Sequence, residues 1–268
     1  NLTGFNIVNY FSRNLDNILI GRYWGAQQLG LYDKAYQLLL LPLRQINIPI
    51  SSVAVPGLSQ LQLDPNRFRN YYLKTITCIT FLTTPLITLF LIIADEIVIL
   101  ALGPQWRDAS VIFQLLAISA VVQPLLQTTG WLYVATGRTD RQFKWGLLSA
   151  LILNSSFFVG LPFGARGVAF SYAIAMFLQT YPCLYYATRG TSITIPDIIG
   201  AVWKVVVSAL LAGGVTLAAK LALMHQLPMF PAAIFYSLIM ACVYVGILFY
   251  LFNTKDFYLS VFHGLKRR

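Results

Sequence analysis

Residues 9–21 read NYFSRNLDNILIG. A cation, an anion and three amides (Arg13, Asp16, Asn9, Asn14 and Asn17) sit there inside an otherwise apolar stretch. What they mean depends on the solvent that the rest of the chain fits. The chain is 57% hydrophobic and 10% charged, with a mean hydropathy of +0.68. A soluble domain carries about 25% charged residues. Lipid is therefore the expected solvent, and polar groups inside apolar runs have to face protein or a wet interior.

A membrane-crossing helix needs about 20 mostly apolar residues. Eight segments meet that requirement: residues 2–20, 28–58, 72–93, 109–135, 143–161, 168–186, 198–223 and 232–252. A short helix, ADEIVILALG, follows the third at the membrane edge. The connections GRYWGAQQLG, QLDPNRFRN, LGPQWRDAS, TGRTDRQFK, PFGARG and TRGTSITIPD carry glycine, proline or charge. No alternation persists over the ten or so residues that a membrane β-strand requires. The expected fold is an all-α integral membrane protein of about eight transmembrane helices.

The Lys/Arg bias orients it. Arg67, Arg69, Lys74, Arg138, Arg141, Lys144, Arg189 and the tail's Lys255, Lys266, Arg267 and Arg268 fall on one side. Arg22, Arg107, Arg166 and Lys220 fall on the other, eleven against four. The rich side is expected to be cytoplasmic, with both ends of the chain on it. The net charge of +10 is scattered between apolar runs, so a membrane surface is the expected partner and nucleic acid is not. Cys78, Cys183 and Cys242 lie apart in apolar segments as packing residues, and His225 and His263 lie near segment ends as interfacial residues. The chain opens on Asn1 with no visible signal peptide, so a longer protein with residues upstream is expected.

On a helix turning 100° per residue, Asn6, Asn9, Arg13, Asp16 and Asn17 fall within an arc of about 100°. The second segment repeats the design, with Asp33, Gln37, Arg44 and Ser51 on one face and Asn47 at its edge. An arginine at the bilayer centre costs at least about 2.5 kcal/mol. Asp16 can offset Arg13 at a spacing of three, and Asp33 can serve Lys34, Arg22 or Arg44, which leaves a cationic surplus. Pro42, Pro49 and Pro56 recur every seven residues on this segment. Proline-broken membrane helices line cavities or hinge. A buried structural ion pair or a snorkelling Arg44 is the plainer alternative. Gln114, Gln123, Gln127 and Asn154 to Ser156 read as interhelical hydrogen-bonding groups that could also meet sugar hydroxyls. There are no paired carboxylates, no Ser/His/Asp set, no metal-ligand spacing and no P-loop. No cofactor and no enzymatic activity are expected.

The stretch SRNLDNILIGRYWGAQQLGLYDKAYQLLLLPLRQINIPISSVAVPGLSQLQLDPNRFRNYY resembles the start of the second half of Wzx-type polysaccharide flippases. These belong to the multidrug/oligosaccharidyl-lipid/polysaccharide exporter superfamily. NLDNILIG, GAQQLGLYDKAY, LPLRQI and VPGLSQLQ carry the likeness, and ALGPQWRDAS and YVATGRTDRQ extend it. The resemblance implies a second six-helix lobe over residues 1–190, then two additional transmembrane helices and a basic cytoplasmic tail over 191–268. It also implies residence in the bacterial inner membrane. The implied cargo is an oligosaccharide joined through pyrophosphate to a polyisoprenol, flipped by alternating access for lipopolysaccharide, capsule or exopolysaccharide synthesis. Polysaccharide polymerase machinery would be a partner.

On that reading Arg13 and Arg44 contact the anion, and Asn9, Asn17 and Gln37 bind the substrate. Asp16 and Asp33 orient the arginines or couple an ion. A drug or organic-cation exporter of the same architecture is one rival, which surplus arginine opposes. A membrane glycosyltransferase or polymerase is another, which would need a catalytic acid and a large loop. A purely structural membrane subunit is a third.

Overall fold

The structure, a computed structural model, describes the backbone of residues 2–223 and 228–253 and the side chains from residue 14 onward. Every regular element among the described residues is helical: α1 (Leu2–Gln60), α2 (Pro65–Ile92), α3 (Ala94–Leu102), α4 (Ala109–Ala120), α5 (Gln123–Ala135), α6 (Thr139–Gly160), α7 (Gly164–Thr188), α8 (Ile195–Leu223) and α9 (Met229–Gly246). Local chemistry explains where they start and how they persist in lipid. Asp64 caps α2 by accepting the Arg67 N–H at 3.0 Å, with Pro65 at the first helical position. Thr77, Thr80, Thr83 and Thr88 return their hydroxyls to carbonyls one turn back, at 2.7, 2.7, 2.8 and 2.9 Å. That satisfies them without water.

The 59 residues of α1 would measure about 90 Å if straight, some three times the hydrocarbon thickness. They fold back instead at Gly25, whose φ of 80° and ψ of 178° are essentially restricted to glycine. Tyr32 Oη donates to Asp16 Oδ2 at 2.9 Å, a contact impossible across sixteen residues of continuous helix. α1 is therefore a hairpin of two arms, residues 2–24 and 26–60. α6 and α7 make a second hairpin, turning through Leu161–Phe163 into Gly164, with Ser149 Oγ donating to Gln179 Oε1 at 2.7 Å across its middle.

Contacts at the helix ends sort the connections into two groups. At one end, Nη1 of both Arg138 and Arg141 donates to the Arg189 carbonyl (3.1 and 2.9 Å), Ser192 Oγ donates to the Pro65 carbonyl (2.9 Å), and Arg69 pairs with Asp197. At the other, Trp24 Nε1 donates to the Leu161 carbonyl (2.7 Å), Arg166 faces Asp108, and Lys220 Nζ donates to the Ile92 carbonyl (2.7 Å) and Glu96 (2.8 Å). This is the alternation expected of successive crossings. It makes α2 and α8 parallel neighbours, tied at both ends.

By length and composition, five stretches can cross a membrane, or six if α4 and α5, bent by 44° to one another, count as one. Residues 14–60 and 139–188 each form one of the five, and each contains a fold-back. Counting arms gives about eight segments, in keeping with the sequence expectation. The fourth segment, expected over 109–135, is bent: it breaks at Val121–Val122 just before Pro124. The helix runs through Pro42, Pro49 and Pro56, and the break falls at Gly25. A proline deletes one rung of hydrogen bonding, whereas Gly25 reverses the backbone. The expected edge helix is α3. His225, His263 and the basic tail lie outside the described residues.

The main packed cluster joins both arms of α1 to α3, α4 and α7 through small side chains. Ala35, Ala109, Ala117, Ala165 and Ala169 are fully buried in it. Small residues bring helices close where water cannot drive them together. Large side chains such as Leu41, Leu151, Phe158 and Leu210 point outward, as lipid-facing positions do.

Candidate functional site

A cavity of about 390 Å³ lies between the second arm of α1 and helices α5, α6 and α7. Helical periodicity builds each wall. Tyr36, Leu40, Leu43 and Asn47 form a stripe on α1; Gln123, Gln127, Gly130 and Tyr133 face in from α5; Gln142, Trp145 and Ser149 face in from α6. Tyr172, Met176 and Gln179 close it from α7. The walls are therefore aromatic surface carrying neutral amides. Such a lining can hydrogen-bond a polyhydroxylated ligand and cover its apolar faces.

Among the described residues, two charged ones line the cavity, Arg44 and Asp16. Asp16 is 5% exposed and held by the Tyr32 hydroxyl and by the Asn17 N–H at 2.8 Å. Arg44 is exposed, and none of the ion pairs among the described residues includes it. Its guanidinium thus presents five donors in a planar fork, suited to carboxylate or phosphate oxygens.

The other sequence-predicted residues are distributed unevenly. Asp33 and Gln37 lie off the cavity and bond each other, with Gln37 Nε2 to Asp33 Oδ2 at 2.7 Å. Gln37 projects about 60–120° round the helix from the cavity stripe and is exposed. Asn17 is outside the lining, and its Oδ1 is buried without a hydrogen-bond partner among the described residues. Ser51 accepts the Trp131 indole N–H at 3.2 Å, and Gln114 Nε2 donates to the Leu91 carbonyl at 3.2 Å, both as interhelical links. The side chains of Asn9 and Arg13 lie outside the described residues.

Gln123 and Gln127 do line the cavity. Tyr133, Gln142, Trp145 and Gln179 escaped the reading of the sequence. Gln142 stands in the charged connection TGRTDRQFK, and the aromatics pass for core. Their one sequence signal was helical spacing, Gln142, Trp145 and Ser149 being three and four residues apart.

Residues 1–111 match the family model described as polysaccharide biosynthesis protein. Over part of its length the chain is similar to bacterial polysaccharide biosynthesis proteins. It is 31% identical to the teichuronic acid biosynthesis protein TuaB of Bacillus subtilis over 169 residues, which are 63% of this chain and 35% of that one. It is 24% identical to the lipopolysaccharide biosynthesis protein WzxC of Escherichia coli K12 over 180 residues, 67% of this chain and 37% of that one. The matched segments thus span little more than a third of those relatives. Among solved structures, the lipid II flippase MurJ in an inward-closed conformation superposes with a TM-score of 0.76 at 18% identity. That match covers 94% of this chain and 52% of MurJ. The fold is MurJ-like, and the chain is a multi-pass membrane protein.

Proposed function

We propose that this chain forms the second lobe of an exporter that flips polyisoprenyl-pyrophosphate-linked oligosaccharide repeats across the bacterial inner membrane, serving surface polysaccharide synthesis without enzymatic chemistry of its own. Residues 1–190 are the lobe, and 191–268 add two helices and a basic tail. Both ends are cytoplasmic, because the basic-rich group of connections faces that side. The bilayer and the lipid-linked sugar are its partners, with polymerase machinery acting on the product and no role for nucleic acid.

The observation that carries this reading is Arg44. It is a cation with no ion-pair partner among the described residues, on the wall of a cavity that amides, aromatics and aliphatic side chains line together with Asp16, itself held by Tyr32. A bare arginine in a membrane interior is costly. A pyrophosphate that shares its charge offsets that cost and gains bidentate hydrogen bonds. Amides replace the water that sugar hydroxyls shed. Arg13 is the second candidate anion contact, on sequence grounds. Asp16, held by Tyr32, fits the orienting role.

The test is Arg44→Ala, and separately Arg13→Ala, in the source bacterium, with surface polysaccharide measured against the amount of protein in the membrane. Loss of polymer with lipid-linked repeats retained on the inner leaflet is expected, and Arg44→Lys should restore only part of it. Normal polymer in the Arg44→Ala strain would reject the role.

A further inference from the structure

Three buried polar atoms on the cavity wall have no hydrogen-bond partner among the described residues: Asn47 Oδ1, Tyr133 Oη and Gln142 Oε1. They come from three different helices. Leaving such an atom unpaired costs about 1–3 kcal/mol, so three on one wall is a large penalty for a site that serves only packing. Two of them, Tyr133 and Gln142, lie beside Gly130. Gln142 Nε2 is 3.8 Å from where a side chain on Gly130 would begin, and Tyr133 is one turn beyond Gly130 on α5. The Trp131–Ser51 bond aligns α5 with the parallel second arm of α1, which sets Asn47 level with Gln127, itself on the cavity wall. Trp145, stacked on Tyr186 with centroids 6.0 Å apart, adds a flat apolar surface.

The chemistry of these atoms is selective. Two amide oxygens only accept, so the group that satisfies them must donate. The phenol oxygen both donates and accepts. A phosphate or carboxylate only accepts, so it could answer the phenol but neither amide oxygen. A sugar hydroxyl both gives and takes.

We propose that the α5–α6 end of the cavity is a subsite for one neutral pyranose ring of the headgroup, hydrogen-bonded by Asn47, Tyr133 and Gln142, separate from the pyrophosphate contact at Arg44. This rests on the flippase reading given above. It makes these three residues determinants of sugar specificity, and Gly130 the opening that admits the ring.

The test uses the purified full chain in lipid nanodiscs and three probes: a polyisoprenyl pyrophosphate, the same lipid carrying one neutral hexose, and the same lipid carrying one hexuronic acid. The wild type should bind the hexose probe at least about ten-fold more tightly than either of the others, the gain expected of satisfying buried acceptors. Tyr133→Phe and Gln142→Leu should each remove about ten-fold of that advantage and leave the bare pyrophosphate lipid unaffected. The melting temperature of unliganded Tyr133→Phe should be unchanged or raised, because the hydroxyl it deletes has no partner. Equal wild-type affinity for all three probes overturns the subsite and leaves the flippase reading standing. Equal weakening of every probe by the variants assigns them a structural role and overturns it too. No binding of any probe to the wild type overturns both readings.

Discussion

Tyr32→Phe isolates the bond that closes the first hairpin. The ring is 1% exposed and the Asp16 carboxylate 5%, so the substitution keeps the packing and deletes one 2.9 Å hydrogen bond. Asp16 then retains the backbone N–H groups of Asn17 and of Asp16 itself. In water-soluble proteins a hydrogen bond to a charged group contributes about 1.5–3 kcal/mol. Within membranes interhelical bonds average about 0.6 and reach about 1.7 kcal/mol, because the unfolded chain in lipid also finds partners. The carboxylate acceptor and the near-complete burial place this bond at the upper end, so a loss of about 1–2 kcal/mol is expected. The assay is unfolding in mixed micelles by SDS titration, run as a cycle with Asp16→Asn and the double variant. A coupling of about 1 kcal/mol is expected between the two sites. Effects that add within about 0.3 kcal/mol would refute the view that this pair holds the two arms together.

Gly25→Ala meets no atom within 4 Å, so its cost is purely that of the backbone, about 1–3 kcal/mol in the same assay. Gly200→Ala, equally unobstructed but inside α8, should stabilise by about 0.5–1 kcal/mol; equal effects at the two sites would contradict the hairpin. Lys220→Met strands Glu96, whose side chain is 12% exposed. About 2–4 kcal/mol should be lost, with much of it recovered when Glu96→Gln is added, since removing both partners of a buried pair is close to neutral. Failure of the second substitution to recover stability would show that Lys220 acts through the Ile92 carbonyl alone.

The membrane architecture was legible because apolar length and breaker residues are one-dimensional signals. The alternation of basic residues also carried over into two groups of contacting connections. What escaped was geometry without a local signature. Gly25 is one glycine among several in GRYWGAQQLG, and nothing in the string says which takes a positive φ. The 44° bend between α4 and α5 falls just before Pro124, but the helix-interior prolines Pro42, Pro49, Pro56 and Pro85 are passed without a break.

The cavity was half legible for the same reason. Arg44, Asn47, Gln123 and Gln127 stand out as polar residues in apolar spans, and all four line it. Tyr133 and Gln142 become site residues only when α5 and α6 bring them against a wall that begins almost a hundred residues earlier. Gln37 shared a helical face with Arg44 on paper, yet its own partner at a spacing of four, Asp33, holds it elsewhere.

A pyrophosphate-bearing lipid is expected to dwell beside Arg44. A polyisoprenyl pyrophosphate with a photoreactive group next to the phosphates tests it directly, with the labelled residues mapped after illumination of the full protein in membranes. Label within residues 36–47 and 142–149, lost in Arg44→Ala, is the expected result. Label confined to outward-facing positions such as Leu151 and Phe158, and unchanged in Arg44→Ala, would contradict it.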